Sequence, residues 1–247
     1  MWSPELKAMG WEMDPSPEIM RIWAGAARYK LRPWWSTYTY SNFIATSRAP
    51  FNPMQYVLRS TALVRGKHPY GIVIDDVKKD DATRLYQWAA MLNGGVWKAK
   101  VEGLAANQIA LATTGVDPDL LSAAAKPEIV PEPGDPLLLV TALGMDSSGD
   151  GALPLMQVET APGPVERDGK TRYHDRLMVN RRAASANFRV LLLPVRAGEA
   201  LPEVRWDDAK QSASVSYPGQ SDSLDFKISQ EHRTHLTARR GDLILIR

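Results

Sequence analysis

No cysteine occurs among the 247 residues. That removes disulfides, thiolate metal sites and a cysteine nucleophile together. Long apolar runs are missing too: none approaches the roughly 20 residues that a membrane-spanning helix needs. The opening stretch MWSPELKAMGWEMD has neither the basic nor the apolar region of an export signal, so the chain reads either as cytoplasmic or as one that lacks its natural start. An excess of one charge is also lacking, with 30 basic against 28 acidic residues and a net charge of +2. Nothing in that balance favours nucleic acid or an anionic membrane as partner. Neither G-x-G-x-x-G nor G-x-x-x-x-G-K occurs, and no G-x-S-x-G elbow, so phosphate loops and the hydrolase nucleophile turn are set aside. No cofactor is expected.

What is present is strand after strand. Tyr56–Trp88 reads as three consecutive strands, an antiparallel meander. In the first, Tyr56, Leu58, Ala62 and Val64 share one side while Arg59, Thr61 and Arg65 share the other. Gly66-Lys67-His68-Pro69 breaks the pattern as a tight connection does. Tyr70–Ile74 follows as an apolar run ending in Asp75 and Asp76, and Arg84–Leu92 places Tyr86, Trp88, Ala90 and Leu92 on one face. Further on, Val96–Leu104 with Gln108–Thr113 reads as a hairpin turning near Ala105-Ala106-Asn107. Lys126–Pro136 reads as an extended connection and Leu137–Leu143 as a strand. Leu155–Thr160, Leu177–Arg181 and Phe188–Val195 continue the series, with Ala161–Thr171 as a Pro/Gly-rich loop. Short strands at Glu203–Trp206, Ser212–Tyr217, Leu224–Ile228, His235–Ala238 and Leu243–Ile246 complete it. More than a dozen short strands without a fixed repeat predict an all-β fold, a large antiparallel β-sandwich.

Residues 1–55 differ. They carry five of the eight tryptophans, and Ser16-Pro17-Glu18 opens a predicted helix near 17–29. The expected organisation is an aromatic-rich, partly helical N-terminal segment over 1–55, packed on a sandwich domain over 56–247. Trp34, Trp35, Tyr38 and Tyr40 alternate with hydroxyl residues in an edge-strand pattern. Their rings are candidates for stacking on sugars through their faces while polar tips bond hydroxyls. Sealing the segment onto the sandwich explains the same aromatics and is the favoured role.

The remaining motifs weigh toward structure. His232 and His235 stand three apart in a strand or turn pattern rather than on one helix face, and read as solvent-facing. His174-Asp175 follows Arg172-Tyr173 and reads either as a polar site pair or as a loop before a strand. Asp75 and Asp76, adjacent on a strand, point to opposite faces and make a poor acid/base pair. One of them is expected to satisfy backbone donors or Arg59, and the other to be solvated. Asp146-Ser147-Ser148-Gly149-Asp150-Gly151 is like a calcium loop but has Gln157 at the twelfth position, so a polar turn is expected. No catalytic and no metal-binding residue is assigned.

The run from Asn52-Pro53 through YVLRSTALVRGKHPYGIVIDDVKKDD to Tyr86 and Trp88, with the later FRVLLLPVR, resembles the C-terminal β-sandwich of heparinase II/III-like polysaccharide lyases over about 52–200. The resemblance implies a two-part enzyme, an α/α toroid followed by this sandwich, that cleaves uronate-containing glycans by β-elimination. It also implies a periplasmic or secreted setting and the toroid as a missing partner. The family's His-x-His-x-Asp-x-Gly segment is not found here, and no residue role carries over. His68 and Tyr70 precede the Asp-Asp strand as in relatives and, with His174, join the aromatics as candidate ligand contacts. The expectation is a sandwich module, inactive alone, that is structural or touches polysaccharide. A self-contained carbohydrate-binding protein, or an autonomous carbohydrate-active enzyme using His174 and Asp175, stands as an alternative. A homodimer is compatible with the exposed strand edges.

Overall fold

The computed structural model describes residues 55–92, 95–113, 128–165 and 171–246, with backbone alone at 161–165 and 171–174. Trp34, Trp35, Tyr38 and Tyr40, the helix near 17–29, the packing of segment 1–55 and the stretch 117–125 lie outside the described residues. Gln55–Arg247 forms one compact unit.

The described residues form an all-β sandwich built from three antiparallel sheets. The strands are β1 (Tyr56–Val64), β2 (Tyr70–Lys78), β3 (Arg84–Met91), β4 (Val96–Lys98), β5 (Gln108–Thr113), β6 (Pro136–Ala142) and β7 (Met156–Val165). They continue with β8 (Thr171–Ala183), β9 (Ala186–Arg196), β10 (Glu203–Asp207), β11 (Ser212–Tyr217), β12 (Gln220–Ile228), β13 (Thr234–Arg240) and β14 (Leu243–Ile246). The central sheet runs β1-β2-β9-β6-β5-β4, a second runs β10-β11-β12-β13-β14, and a third runs β3-β8-β7.

Burial decides which strand goes where. Along β9, Leu191 and Leu193 pack with Tyr70, Ile72, Ile74 and Leu139 against Val215, Leu224, Phe226 and Leu236 of the second sheet. Its alternate residues Phe188 and Val190 pack with Ile109, Leu111 and Val140 against Tyr86, Trp88, Leu177 and Val179 of the third. A strand apolar on both faces belongs in a layer covered on both sides. The C-terminal strands instead alternate, buried with half-buried residues in β11 and mostly buried with exposed ones in β12, and cover the central sheet with one face.

Three expectations change in the structure. The meander ends after two strands: β1 pairs with β2, whereas β3 pairs with β8 in another sheet. The place beside β2 goes to β9, because β9 is apolar on both faces and β3 on one. The expected loop 161–171 shortens, since β7 runs on to Val165 and β8 starts at Thr171, with a register shift between Pro162 and Val165. Pro162 is tolerated there because β7 is an edge strand and needs no outward N–H. His174 and Asp175 therefore sit within β8, paired with Ala161 and Thr160, rather than in a loop before a strand.

The third change concerns the carboxylate pair. Asp75 accepts a bidentate hydrogen-bonded pair from Arg59 at 2.7 and 2.6 Å, as expected. Asp76 is not solvated. It is buried, and it accepts hydrogen bonds from the Thr234 backbone N–H at 2.6 Å, the Thr234 hydroxyl at 2.7 Å and the Asn187 amide at 2.7 Å. The opposite-face geometry of adjacent strand residues explains both: Asp75 meets an arginine on the neighbouring strand, and Asp76 reaches the second sheet.

Candidate functional site

His68 and Tyr70 are the sequence candidates whose side chains the described structure brings together. The connection between β1 and β2 carries His68, and Tyr70 opens β2. Facing them is the hairpin of β11 and β12, where Tyr217 pairs with Gln220 across Pro218-Gly219. Pro at the second position and Gly219 at φ 78° at the third is the residue pattern of a type II turn. On β12, Gln220 and Asp222 share the inward face with Leu224 and Phe226. A carboxylate on that face needs partners.

Asp222 has them. Arg240, at the end of β13, donates from Nε at 2.7 Å and from Nη2 at 3.0 Å, and the Gln220 amide donates at 3.0 Å. Gln220 also fastens the two sheets. Its Oε1 accepts from the His68 N–H at 3.0 Å and its Nε2 donates to the His68 carbonyl at 2.9 Å. The side-chain amide thus satisfies His68 as a neighbouring strand would. Gly66 permits this closeness: a Cβ there would lie 2.5 Å from Arg240 Nη1 and 2.6 Å from Gln220 Oε1.

Above the clamp the rings form a stack. His68 lies on Tyr217 with centroids 4.7 Å apart and planes within 3°, and Tyr70 meets Tyr217 at 6.4 Å and 33°. His68 Nε2 and the Tyr217 hydroxyl are buried and have no hydrogen-bond partner among the described residues, while the buried Tyr70 hydroxyl faces the Asp222 carboxylate. Burial, reinforced by the Asp222 charge, pushes the Tyr217 phenol up to about 12 and the Tyr70 phenol higher still. Both tyrosines are therefore neutral hydroxyls at physiological pH. They can donate and accept hydrogen bonds but cannot serve as ready bases.

Of the other candidates, those whose side chains are described lie apart from this cluster, and the side chains of Trp34, Trp35, Tyr38, Tyr40 and His174 are outside the described residues. His232 is exposed and stacks on Tyr56 at 4.8 Å, and His235 is exposed on β13, both as expected of solvent-facing histidines. Asp175 is buried and accepts from the Thr160 hydroxyl at 2.8 Å, while the neighbouring Arg176 is held by Glu159. Among the described residues no three His, Asp or Glu side chains gather as a metal site would require. The 146–151 loop is a polar turn. Its Ser148 hydroxyl sits 2.8 and 2.6 Å from the Asp150 and Leu153 carbonyls, and Asp150 binds Arg182 at 2.7 Å. That ion pair holds the Asp150 carboxyl below its usual range. The turn borders a cleft of about 550 Å³ together with Leu155 and Met156.

No protein-family model, no curated protein and no solved structure matches this chain. The site rests on its own geometry.

Sequence reasoning missed Tyr217, Gln220, Asp222 and Arg240. The legible signal was Asp222 in register with Leu224 and Phe226, a charge on a core face. A second buried charge was missed as well. Arg189 on β9 lies between Trp206 and Phe226, its guanidinium carbon 5.3 Å from both ring centres. Burial lowers its pKa, against the attraction of Asp76.

Proposed function

We propose that this chain is a β-sandwich module of the kind found at the C-terminus of heparinase II/III-like polysaccharide lyases, inactive alone and structural or in contact with uronate-containing glycan. The observation carrying this reading is the neighbourhood of three segments. The arginine-bearing β1, the Asp-Asp strand β2 and the FRVLLLPVR strand β9 are consecutive in the central sheet, and Arg59 is paired with Asp75. The Tyr86/Trp88 strand packs on the same sheet from the next layer.

The chemistry agrees. Elimination across a uronate needs a base for the proton α to the carboxyl, a group to neutralise the enolate and an acid for the leaving oxygen. In the described sandwich the buried carboxylates Asp75, Asp76, Asp175 and Asp222 accept hydrogen bonds from Arg59, from Thr234 and Asn187, from Thr160 and from Arg240 respectively, and the buried phenols are held neutral. Incubating the full chain with uronate polysaccharides is expected to produce no unsaturated product absorbing in the ultraviolet. A steady rise of that absorbance would place an active site in this chain and end the proposal.

One observation favours the second reading, a self-contained carbohydrate-binding protein. The sequence alternates Trp34, Trp35, Tyr38 and Tyr40 with hydroxyl residues, and aromatic faces with polar tips suit sugars. On that reading Trp34→Ala with Trp35→Ala abolishes glycan binding while the fold survives.

A further inference from the structure

We propose that β1 is a dimerisation edge, through which two copies of this chain pair antiparallel about a two-fold axis at Ser60 and join their central sheets. β1 ends the central sheet, and among the described residues it pairs with β2 alone. A strand in that position presents a row of open N–H and C=O groups, and proteins usually blunt such edges with lysine, proline, bulges or brevity. The other edges, β3 apart, show these devices. β4 has three residues and β14 has four, with a register shift against β13. β7 contains Pro162 and a register shift, and β10 exposes Glu203 and Arg205. β3 is the exception, with eight residues in unbroken register with β8 and with Leu85 37% and Met91 63% exposed. β1 has nine residues, none of them lysine or proline, in an unbroken register with β2. On its outer face Val57 and Leu63 are 61% and 60% exposed.

The side chains favour a second copy as the occupant. With Ser60 opposite Ser60, Val57 faces Leu63 of the other copy, Leu58 faces Ala62, Arg59 faces Thr61 and Tyr56 faces Val64. Every apolar residue then meets an apolar one, in each of the two symmetry-related pairs. The single cation meets a hydroxyl, and its charge is already matched by Asp75 at 2.6 Å. A two-fold contact requires such a self-complementary strip, and cross-strand pairs of this kind are what stabilise a sheet. The inference stands apart from the glycan reading, since it uses no ligand.

The absence of cysteine makes the register directly testable. Ser60→Cys places two thiols across the axis at the 4.5–5.5 Å Cα spacing of opposed antiparallel residues, within about the range a disulfide spans. Val57→Cys puts its two thiols about 20 Å apart along the strands. Under mild oxidation the full chain is expected to cross-link to a dimer as S60C and not as V57C. Sedimentation of the cysteine-free chain should show a concentration-dependent dimer. That dimer should weaken at least tenfold in T61R, which sets arginine against arginine, and persist in T61E. Thr61 is exposed, so both variants should fold. A chain that stays monomeric at high concentration, a dimer indifferent to T61R, or equal cross-linking of S60C and V57C would overturn the proposal.

Discussion

Replacing Asp76 by asparagine tests the join between the central and second sheets with almost no change of shape. Asp76 is 1% exposed, and its two oxygens accept three hydrogen bonds of 2.6–2.7 Å. Asparagine keeps one acceptor oxygen and turns the other into a donor. If the oxygen stays where Oδ2 was, Asn187 is left facing an amide. If it stays where Oδ1 was, the Thr234 N–H is left facing one. The Thr234 hydroxyl can rotate and accept, so the minimum loss is one charge-assisted bond plus an unsatisfied donor. Hydrogen bonds to a charged group contribute about 1.5–3 kcal/mol each, which puts the cost of Asp76→Asn at about 2–4 kcal/mol. That is a large share of the roughly 5–15 kcal/mol by which domains are stable. Urea unfolding should show the midpoint falling at constant slope. A double-mutant cycle with Thr234→Val should return a coupling of about 0.5–3 kcal/mol. A change below about 0.5 kcal/mol with no coupling would mean that Asp76 does not tie the sheets, and the reasoning would fail.

Two further predictions concern buried groups. Arg189 is desolvated between two rings without a carboxylate in contact, so Arg189→Met should leave stability within about 1 kcal/mol or raise it, while Arg189→Ala should cost about 2–4 kcal/mol through the cavity left behind. Denaturant midpoints of the two variants decide this. For the tyrosines, the folded pKa of Tyr217 (about 12) and that of Tyr70 lie above the ordinary value of 10. The folded state therefore holds protons that the unfolded state releases, and the contribution of these two groups to stability is constant below pH 10 and falls as pH rises toward 12. In a tyrosinate absorbance titration, at least two of the eight tyrosines should ionise late, and should join the rest in denaturant.

Alternation made much of this fold legible. In β1 the period-two pattern of YVLRSTALV was readable residue by residue, and β11 and β14 begin and end where turn residues mark them. Pairing was less legible than strand existence. Arg84–Met91 follows β2 in the chain, yet its partner is β8, and the clue lay in the one-sided Tyr86/Trp88 face compared with the two-sided FRVLLLPV of β9. Local sequence also could not show that Asp76 meets Thr234, because the contact spans 158 positions and depends on how the sheets stack. Of the candidate site, His68 and Tyr70 were visible and their partners on β11, β12 and β13 were not. Asp222 stands in register with Leu224 and Phe226, but its partners Gln220 and Arg240 become evident only when the hairpin is laid against the Gly66–Pro69 connection.

The central claim is that this sandwich meets uronate glycan, or supports a domain that does, without cleaving it. Calorimetric titration of the full chain with uronate and neutral polysaccharides, with the ultraviolet absorbance of the same samples followed in parallel, tests it most directly. Heat of binding confined to the uronate polymers, or no heat at all, with flat absorbance in either case, is the predicted result. Binding should be lost in Trp34→Ala/Trp35→Ala if those aromatics are the contact. Growth of the double-bond absorbance would contradict the account.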